Sequence, residues 1–149
     1  TTGIAHTRWA THGAPSDVNA HPHMSADDRV AVVHNGIIDN AAELRRKLEA
    51  EGVEFLSETD TEVLVHLIAR SAAEKLEDRV RETLRLIEGT YGIAVMHADF
   101  PDRIVAARNG SPVVLGIGEK EMFVASDIAA LVAHTRQIVT LDDGEMATL

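Results

Sequence analysis

Five of the eight histidines of this 149-residue chain, its only tryptophan and an isolated arginine fall between positions 6 and 34. They sit in three runs: His6-Thr7-Arg8-Trp9-Ala10-Thr11-His12-Gly13, Asn19-Ala20-His21-Pro22-His23 and His34-Asn35-Gly36. Arg8 has no acid within three residues on either side. Its guanidinium can hold a carboxylate through two parallel hydrogen bonds, or form a structural salt bridge with an acid distant in sequence. Trp9, at the start of a polar loop, can serve as core or as the wall or lid of a pocket, with its ring packed and its N–H bonded. Thr11 and His12 add a hydroxyl and an imidazole to the same loop.

Asn35-Gly36 follows the buried-looking run Val30–His34. An Asn side-chain amide beside a Gly N–H can form an oxyanion hole, each donor being worth roughly 3 kcal/mol of transition-state stabilisation. Asn-Gly is also the commonest hairpin-turn signal, and on spacing alone the turn is the better reading. Asp60 precedes an apolar helical pattern, where an acid caps the helix or favours its dipole. Its carboxylate can equally receive an ammonium group. An arginine for a carboxylate and an aspartate for an ammonium together describe a site for a free α-amino acid.

The histidines invite a metal, since His21 and His23 lie two residues apart with His6, His12 and His34 available. There is no His-Glu-x-x-His pattern and no acid at ligand spacing, so hydrogen bonding and proton transfer are the expected roles, with no metal and no cofactor.

The elements that must position these groups follow from periodicity. Gly3–Trp9 reads as a strand, followed by a loop from Ala10 to Asp28, a strand at Val30–His34, and a helix capped by Asp39 or Asn40 that ends at Gly52. Val53–Leu56 reads as a short strand. A second helix after Asp60 presents Val63, Leu64, Leu67 and Ile68 on one face, and a third carries Val80, Leu84 and Ile87 and ends near Gly89. Strands are predicted at Tyr91–Ala98, Arg103–Arg108, Val113–Ile117, Met122–Ala125 and Arg136–Leu141, with a short helix at Asp127–Val132. Hairpin-length turns between the later strands predict a layered fold of antiparallel sheets and helices rather than a doubly wound parallel sheet. The apolar stretches Ile93–Met96 and Pro112–Leu115 predict strands buried on both faces.

Composition narrows the function. The length suits one domain with a proper core. A net charge of −10, with scattered Lys and Arg, argues against a nucleic-acid partner. No apolar run is long enough to span a bilayer, and the N-terminus has no signal-peptide pattern. The absence of cysteine excludes disulfides and thiolate metal sites and suits a cytoplasmic protein. The chain begins at Thr1 in what reads as mid-strand, as a piece of something longer would.

Taken together, His6–Gly13 (HTRWATHG), Asn19–His23 (NAHPH), His34–Gly36 (HNG), Ser57–Glu62 (SETDTE), Gly89–Gly92 (GTYG), Arg108–Pro112 (RNGSP) and Ala125–Asp127 (ASD) resemble, in order, the glutamine amidotransferase domain of the glucosamine-6-phosphate synthase family. The resemblance implies an α+β, N-terminal nucleophile hydrolase-type, four-layer αββα sandwich with antiparallel sheets. It implies an N-terminal cysteine that attacks the side-chain amide of L-glutamine, with ammonia passing to a sugar isomerase domain that uses fructose 6-phosphate, in a homodimeric parent protein.

Carried over residue by residue, it gives Arg8 the α-carboxylate and Asp60 the α-ammonium of glutamine, Asn35 and Gly36 the oxyanion hole, Thr11 and His12 the pocket wall, and Trp9 the closing loop. Residues 1–149 match from partway into that domain. They are therefore expected to be a partial glutaminase domain, inactive alone, without the cysteine nucleophile or the isomerase domain, and with open sheet edges and exposed apolar surface. Two rival readings are a non-catalytic amino-acid-binding module and a hydrolase that uses Thr1 as its N-terminal nucleophile.

Overall fold

A computed structural model describes residues 1–7 and 13–149. In chain order the elements are β1 (His23–Met24), β2 (Val30–Ile38), α1 (Ala41–Ala50), α2 (Thr61–Arg70), α3 (Leu76–Leu84), β3 (Gly89–His97), β4 (Val105–Asn109), β5 (Val114–Ile117), β6 (Met122–Ala125), a 3-10 turn (Ile128–Ala130), β7 (Gln137–Thr140) and β8 (Met146–Thr148). Among the described residues every ladder is antiparallel. One sheet has the order β1-β2-β3-β4-β8 and the other β6-β5-β7.

The two-residue period of the strands divides the five-stranded sheet into two chemically distinct faces. Val30, Val32 and Ile38 of β2, Ile93 and Val95 of β3, and Val105 and Ala107 of β4 share one face. They form the main core with Leu64, Val65 and Ile68 of α2 and with Leu76 and Val80 of α3. On the opposite face Ala106 packs with Val113, Leu115 and Leu141, with Val124 and Ala147 at the margin. The three-stranded sheet therefore covers that side. The result is three layers, helices on sheet on sheet, as expected for antiparallel strands buried on both faces. A helix layer beyond the three-stranded sheet does not occur among the described residues, where that region holds only the 3-10 turn.

The structure corrects several expectations. Gly3–Thr7 is not a strand, because no ladder pairs with it, and Trp9 lies outside the described residues. Val53–Leu56 is not a strand either. The Leu56 N–H donates to Glu62 Oε1 at 2.8 Å instead of to a neighbouring strand, and the Leu56 side chain is exposed while Val53 and Phe55 pack beside α1 and α2. The predicted helix at Asp127–Val132 shrinks to a single 3-10 turn, capped by the Asp127 carboxylate accepting from Ala129 N. Two short strands were not expected: β1 lies in the segment read as a loop, and β8 lies beyond the last strand predicted, Arg136–Leu141. Exposed apolar side chains include Ile117, Met122 and Val139, one from each strand of the small sheet.

Candidate functional site

The largest departure from the sequence reading concerns Asn35-Gly36. The pair is not a hairpin turn but lies inside β2, in unbroken register with β3: Asn35 opposite Gly92 and Gly36 opposite Tyr91. Turn chemistry is overridden because the apolar alternation of β2 resumes at Ile38, which enters the helix-side core. Gly36 has φ +130°, and a Cβ there would stand 2.2 Å from the Thr90 carbonyl oxygen. Only glycine fits that backbone.

Alternation also decides where each group points. His34 is on the helix face and buried. Its Nδ1 lies 2.9 Å from Thr61 Oγ1, and its Nε2 lies 3.2 Å from the Thr90 carbonyl, to which it donates. Burial holds its pKa below the usual histidine value, despite the nearby Asp60 carboxylate and the hydrogen bond to Thr90. Asn35, one residue on, is on the opposite face. There it lines a cavity of about 160 Å³ between the sheets, with His6, Val33, Gly92 and Ser126 among the walls.

The free edge of β2 carries the second part of the site. The His34 N–H donates to His21 Nδ1 at 3.2 Å, and the Ile38 N–H donates to Asp60 Oδ2 at 2.8 Å. Antiparallel alternation puts the Gly36 N–H on this same edge, between the two.

Asp60 is at the N-cap position of α2, as read from the sequence, but its side chain caps nothing in that helix. Its buried carboxylate spends one oxygen on the end of β2. Of the predicted site residues, the structure thus places Asn35 and Gly36 within β2 and the Asp60 carboxylate against the end of that strand. Arg8, Trp9, Thr11 and His12 lie outside the described residues. Thr1 is exposed and lines a separate cleft with Asp102, Met122 and Leu149, whereas Asn35 lines the inter-sheet cavity.

A buried polar network, missed in the sequence reading, holds the Ser57–Asp60 turn. Glu62 accepts from the amides of Leu56 (2.8 Å) and Ser57 (2.7 Å) and from the Ser57 hydroxyl (2.5 Å), with His66 Nε2 at 3.4 Å. Burial raises its pKa, but the hydrogen bonds from His66, Ser57 and the two amides outweigh it and bring the carboxyl down to about 2. Arg45 donates to the carbonyls of Ser57 (2.9 Å) and Thr59 (3.1 Å) while lying over the Phe55 ring. Asn19 accepts from the Glu58 amide at 2.9 Å and donates to the Ala14 carbonyl at 3.0 Å, tying the first loop to this turn. The Thr59-x-x-Glu62 spacing of a capping box was the available signal, although Glu62 reaches back to Leu56 and Ser57 rather than to the cap itself.

Among the described residues no group of three or more His, Asp or Glu side chains could hold a metal ion. No helix among them is long and apolar enough to cross a membrane.

A family model described as a glutamine amidotransferase domain matches residues 6–133. Glutamine–fructose-6-phosphate aminotransferase (isomerizing) of Chlorobaculum tepidum is 56% identical over the whole chain, and that of Aquifex aeolicus is 51% identical over 99% of it. The chain spans 25% of the length of each.

Among solved structures, one described as the allosteric regulatory enzyme of purine biosynthesis superposes with a TM-score of 0.82 at 31% identity, over 96% of this chain and 32% of that one. The glutamine phosphoribosylpyrophosphate amidotransferase of B. subtilis superposes with a TM-score of 0.75 at 28% identity, over 97% of this chain and 33% of that one. The α+β fold is that of the N-terminal nucleophile amidotransferases. With the family model matched over residues 6–133 and a relative 56% identical over the whole chain, the chain belongs to the glutamine amidotransferase domain family.

Proposed function

We propose that this chain is the substrate-recognition and oxyanion part of a glutaminase domain, hydrolysing L-glutamine to glutamate and ammonia within a longer protein. One observation carries the reading. The free edge of β2 presents three outward amides in sequence, the outer two being taken by His21 and by Asp60. The middle one, on Gly36, lies beside the Asn35 amide and about 7 Å along the strand from Asp60's anchor point at Ile38. That separation suits a small amino acid whose carboxamide carbon reacts at Asn35-Gly36 while its ammonium reaches Asp60.

In this reading attack on the carboxamide carbon develops negative charge on its oxygen. Asn35 Nδ2 and the Gly36 N–H receive that charge, having already been held in place by the β2–β3 register. Asp60 Oδ1 accepts the α-ammonium, since Oδ2 is engaged by Ile38. Arg8 holds the α-carboxylate, and Thr11, His12 and Trp9 wall and close the pocket. These 149 residues contain no cysteine, so a cysteine nucleophile comes from residues outside them, and the chain alone hydrolyses no glutamine. By analogy with the aminotransferase relatives, the ammonia serves a sugar isomerase domain acting on fructose 6-phosphate in a cytoplasmic, homodimeric protein.

The test is ammonia release from L-glutamine by the chain alone and by the full-length protein that carries it. The expected result is release only by the longer protein, with kcat lowered by about 10²–10³ in Asn35→Ala. Release by the isolated chain that Asn35→Ala abolishes would overturn the claim of inactivity. Tight glutamine binding by a full-length protein that releases no ammonia would favour a non-catalytic sensor.

A further inference from the structure

The three histidines His6, His21 and His23 were expected to hydrogen-bond or to move protons, and beyond the bond of His21 to the β2 edge the site described above gives them no part in the chemistry. In the fold they form a column. The His6 ring stacks on His21 with centroids 4.4 Å apart and planes 28° from parallel, and His21 meets the edge of His23 at 4.9 Å. Both ends and the middle are tied down. His23 Nε2 lies 2.9 Å from Thr59 Oγ1, His21 Nδ1 accepts the His34 amide of β2, and His6 Nε2 lies 2.7 Å from Asn35 Oδ1.

The last contact has a chemical consequence. The two ends of an asparagine amide have nearly the same shape and opposite hydrogen-bonding sense: the oxygen only accepts, and the nitrogen only donates. An oxyanion hole needs the nitrogen end forward. A ring nitrogen at 2.7 Å from Oδ1 must carry the proton, so His6 Nε2–H donates and pins the oxygen end. Nδ2 is then left to face the cavity. The proton on Nε2 leaves Nδ1 as an acceptor, and that atom is buried without a hydrogen-bond partner among the described residues.

We infer that His6 is a positioning residue for the glutaminase reaction: held by its stack on His21, it fixes the amide of Asn35 with the donor end toward the developing oxyanion. The inference rests on the proposed role of Asn35. His6 touches no reacting atom in this scheme, so it acts wholly through Asn35, and that gives it a signature unlike that of a structural residue.

The experiment is a double-mutant cycle in the full-length protein carrying this chain, read as steady-state glutaminase kinetics with thermal unfolding as the folding control. His6→Phe keeps an aromatic ring on His21 and removes the donor. It is expected to lower kcat about 10–100-fold while KM for glutamine stays within about twofold, the pattern for an interaction made only in the transition state. His6→Gln, which can still donate an N–H to Oδ1, is expected to recover most of that loss. In an Asn35→Ala background, His6→Phe is expected to cost nothing further.

An unchanged kcat in His6→Phe overturns the inference, as does a loss in the double variant equal to the product of the two single losses. Should His6→Phe not accumulate folded, the same cycle run with His6→Gln and His6→Leu decides between the same outcomes. If Asn35→Ala alone leaves kcat unchanged, the oxyanion role itself fails and this inference with it. A large Asn35 effect without coupling to His6 sinks only the inference.

Discussion

Asp60 Oδ2 accepts the backbone proton of Ile38 at 2.8 Å, so the residue that opens helix α2 also fastens the last turn of alternation in strand β2. A carboxylate placed to cap a helix instead bonds the end of the sheet strand, and in the proposed function its other oxygen meets the ammonium of the ligand. This separates a structural from a recognition role. Asp60→Asn keeps an oxygen for Ile38, and its stability should stay within about 1 kcal/mol of the parent. In the full-length protein its KM for glutamine should rise at least about tenfold, through loss of the charge that meets the ammonium. Asp60→Ala should lose the same recognition and also about 1–3 kcal/mol, because the Ile38 N–H is left buried without an acceptor. Thermal unfolding and steady-state kinetics on the two variants check both halves.

Gly36 admits no side chain. Its φ of +130° is costly for any L-residue, and the Cβ of alanine would stand 2.2 Å from the Thr90 carbonyl oxygen and 3.1 Å from His34 Nε2. Gly36→Ala should destabilise the chain by at least about 3 kcal/mol, by forcing β2 and β3 apart next to the site. Denaturant unfolding measures it. A loss under about 1 kcal/mol would mean that this stretch of β2 is not held as described.

Glu62 links stability to acid. Its carboxyl is at about 2 in the folded chain against 4.5 for the free group, so its contribution is fully present above about pH 4.5 and is lost as pH falls through about 2. That contribution is on the order of 3 kcal/mol. Glu62→Gln should remove most of it at pH 7, and the stability difference between variant and parent should shrink steadily below about pH 4.5. Unfolding curves at several pH values give the comparison directly.

His34 works in the pH range above that. Burial depresses its pKa, so the folded chain binds fewer protons than the unfolded chain around and below 6.5. Stability from this group is therefore present above 6.5 and is lost as pH falls below it toward the folded value. His97 shifts the same way, through burial and the neighbouring Arg79. The unfolding free energy should decline from about pH 7.5 to 5.5, with each histidine contributing up to about 1.4 kcal/mol per pH unit. His34→Gln should flatten the slope by its own share.

Much of the fold was legible in the residue pattern. The apolar spacing of Val63, Leu64 and Ile68 and the unbroken apolar runs Val30–Val33 and Ile93–Met96 announced α2, β2 and β3, because a helix buried on one face and strands buried on both require those patterns. Asp142-Asp143-Gly144 reads as a turn and forms one ahead of β8, whereas Asn109-Gly110, which reads the same way, closes β4 at Asn109 and bridges from Gly110 to Tyr91. The chemical types used by the proposed function were legible too: Asn35 beside Gly36, and an acid at Asp60.

The tertiary structure decided what local signals left open or got wrong. Asn35-Gly36 carries a turn signal, but pairing with Gly92 and Tyr91 and the pull of Ile38 into the core outweigh a two-residue preference. Val53–Leu56 has strand-like residues, but Glu62 takes the backbone protons that a neighbouring strand would have bonded. The helix-cap reading of Asp60 fails because the end of β2 passes within reach of its carboxylate. No spacing rule could place His6 against Asn35, 29 residues away. Sequence by itself determined which groups are available and which faces must be buried, since those follow from side-chain chemistry and period. Which donor meets which acceptor was settled only when two sheets and three helices closed around the same buried strand.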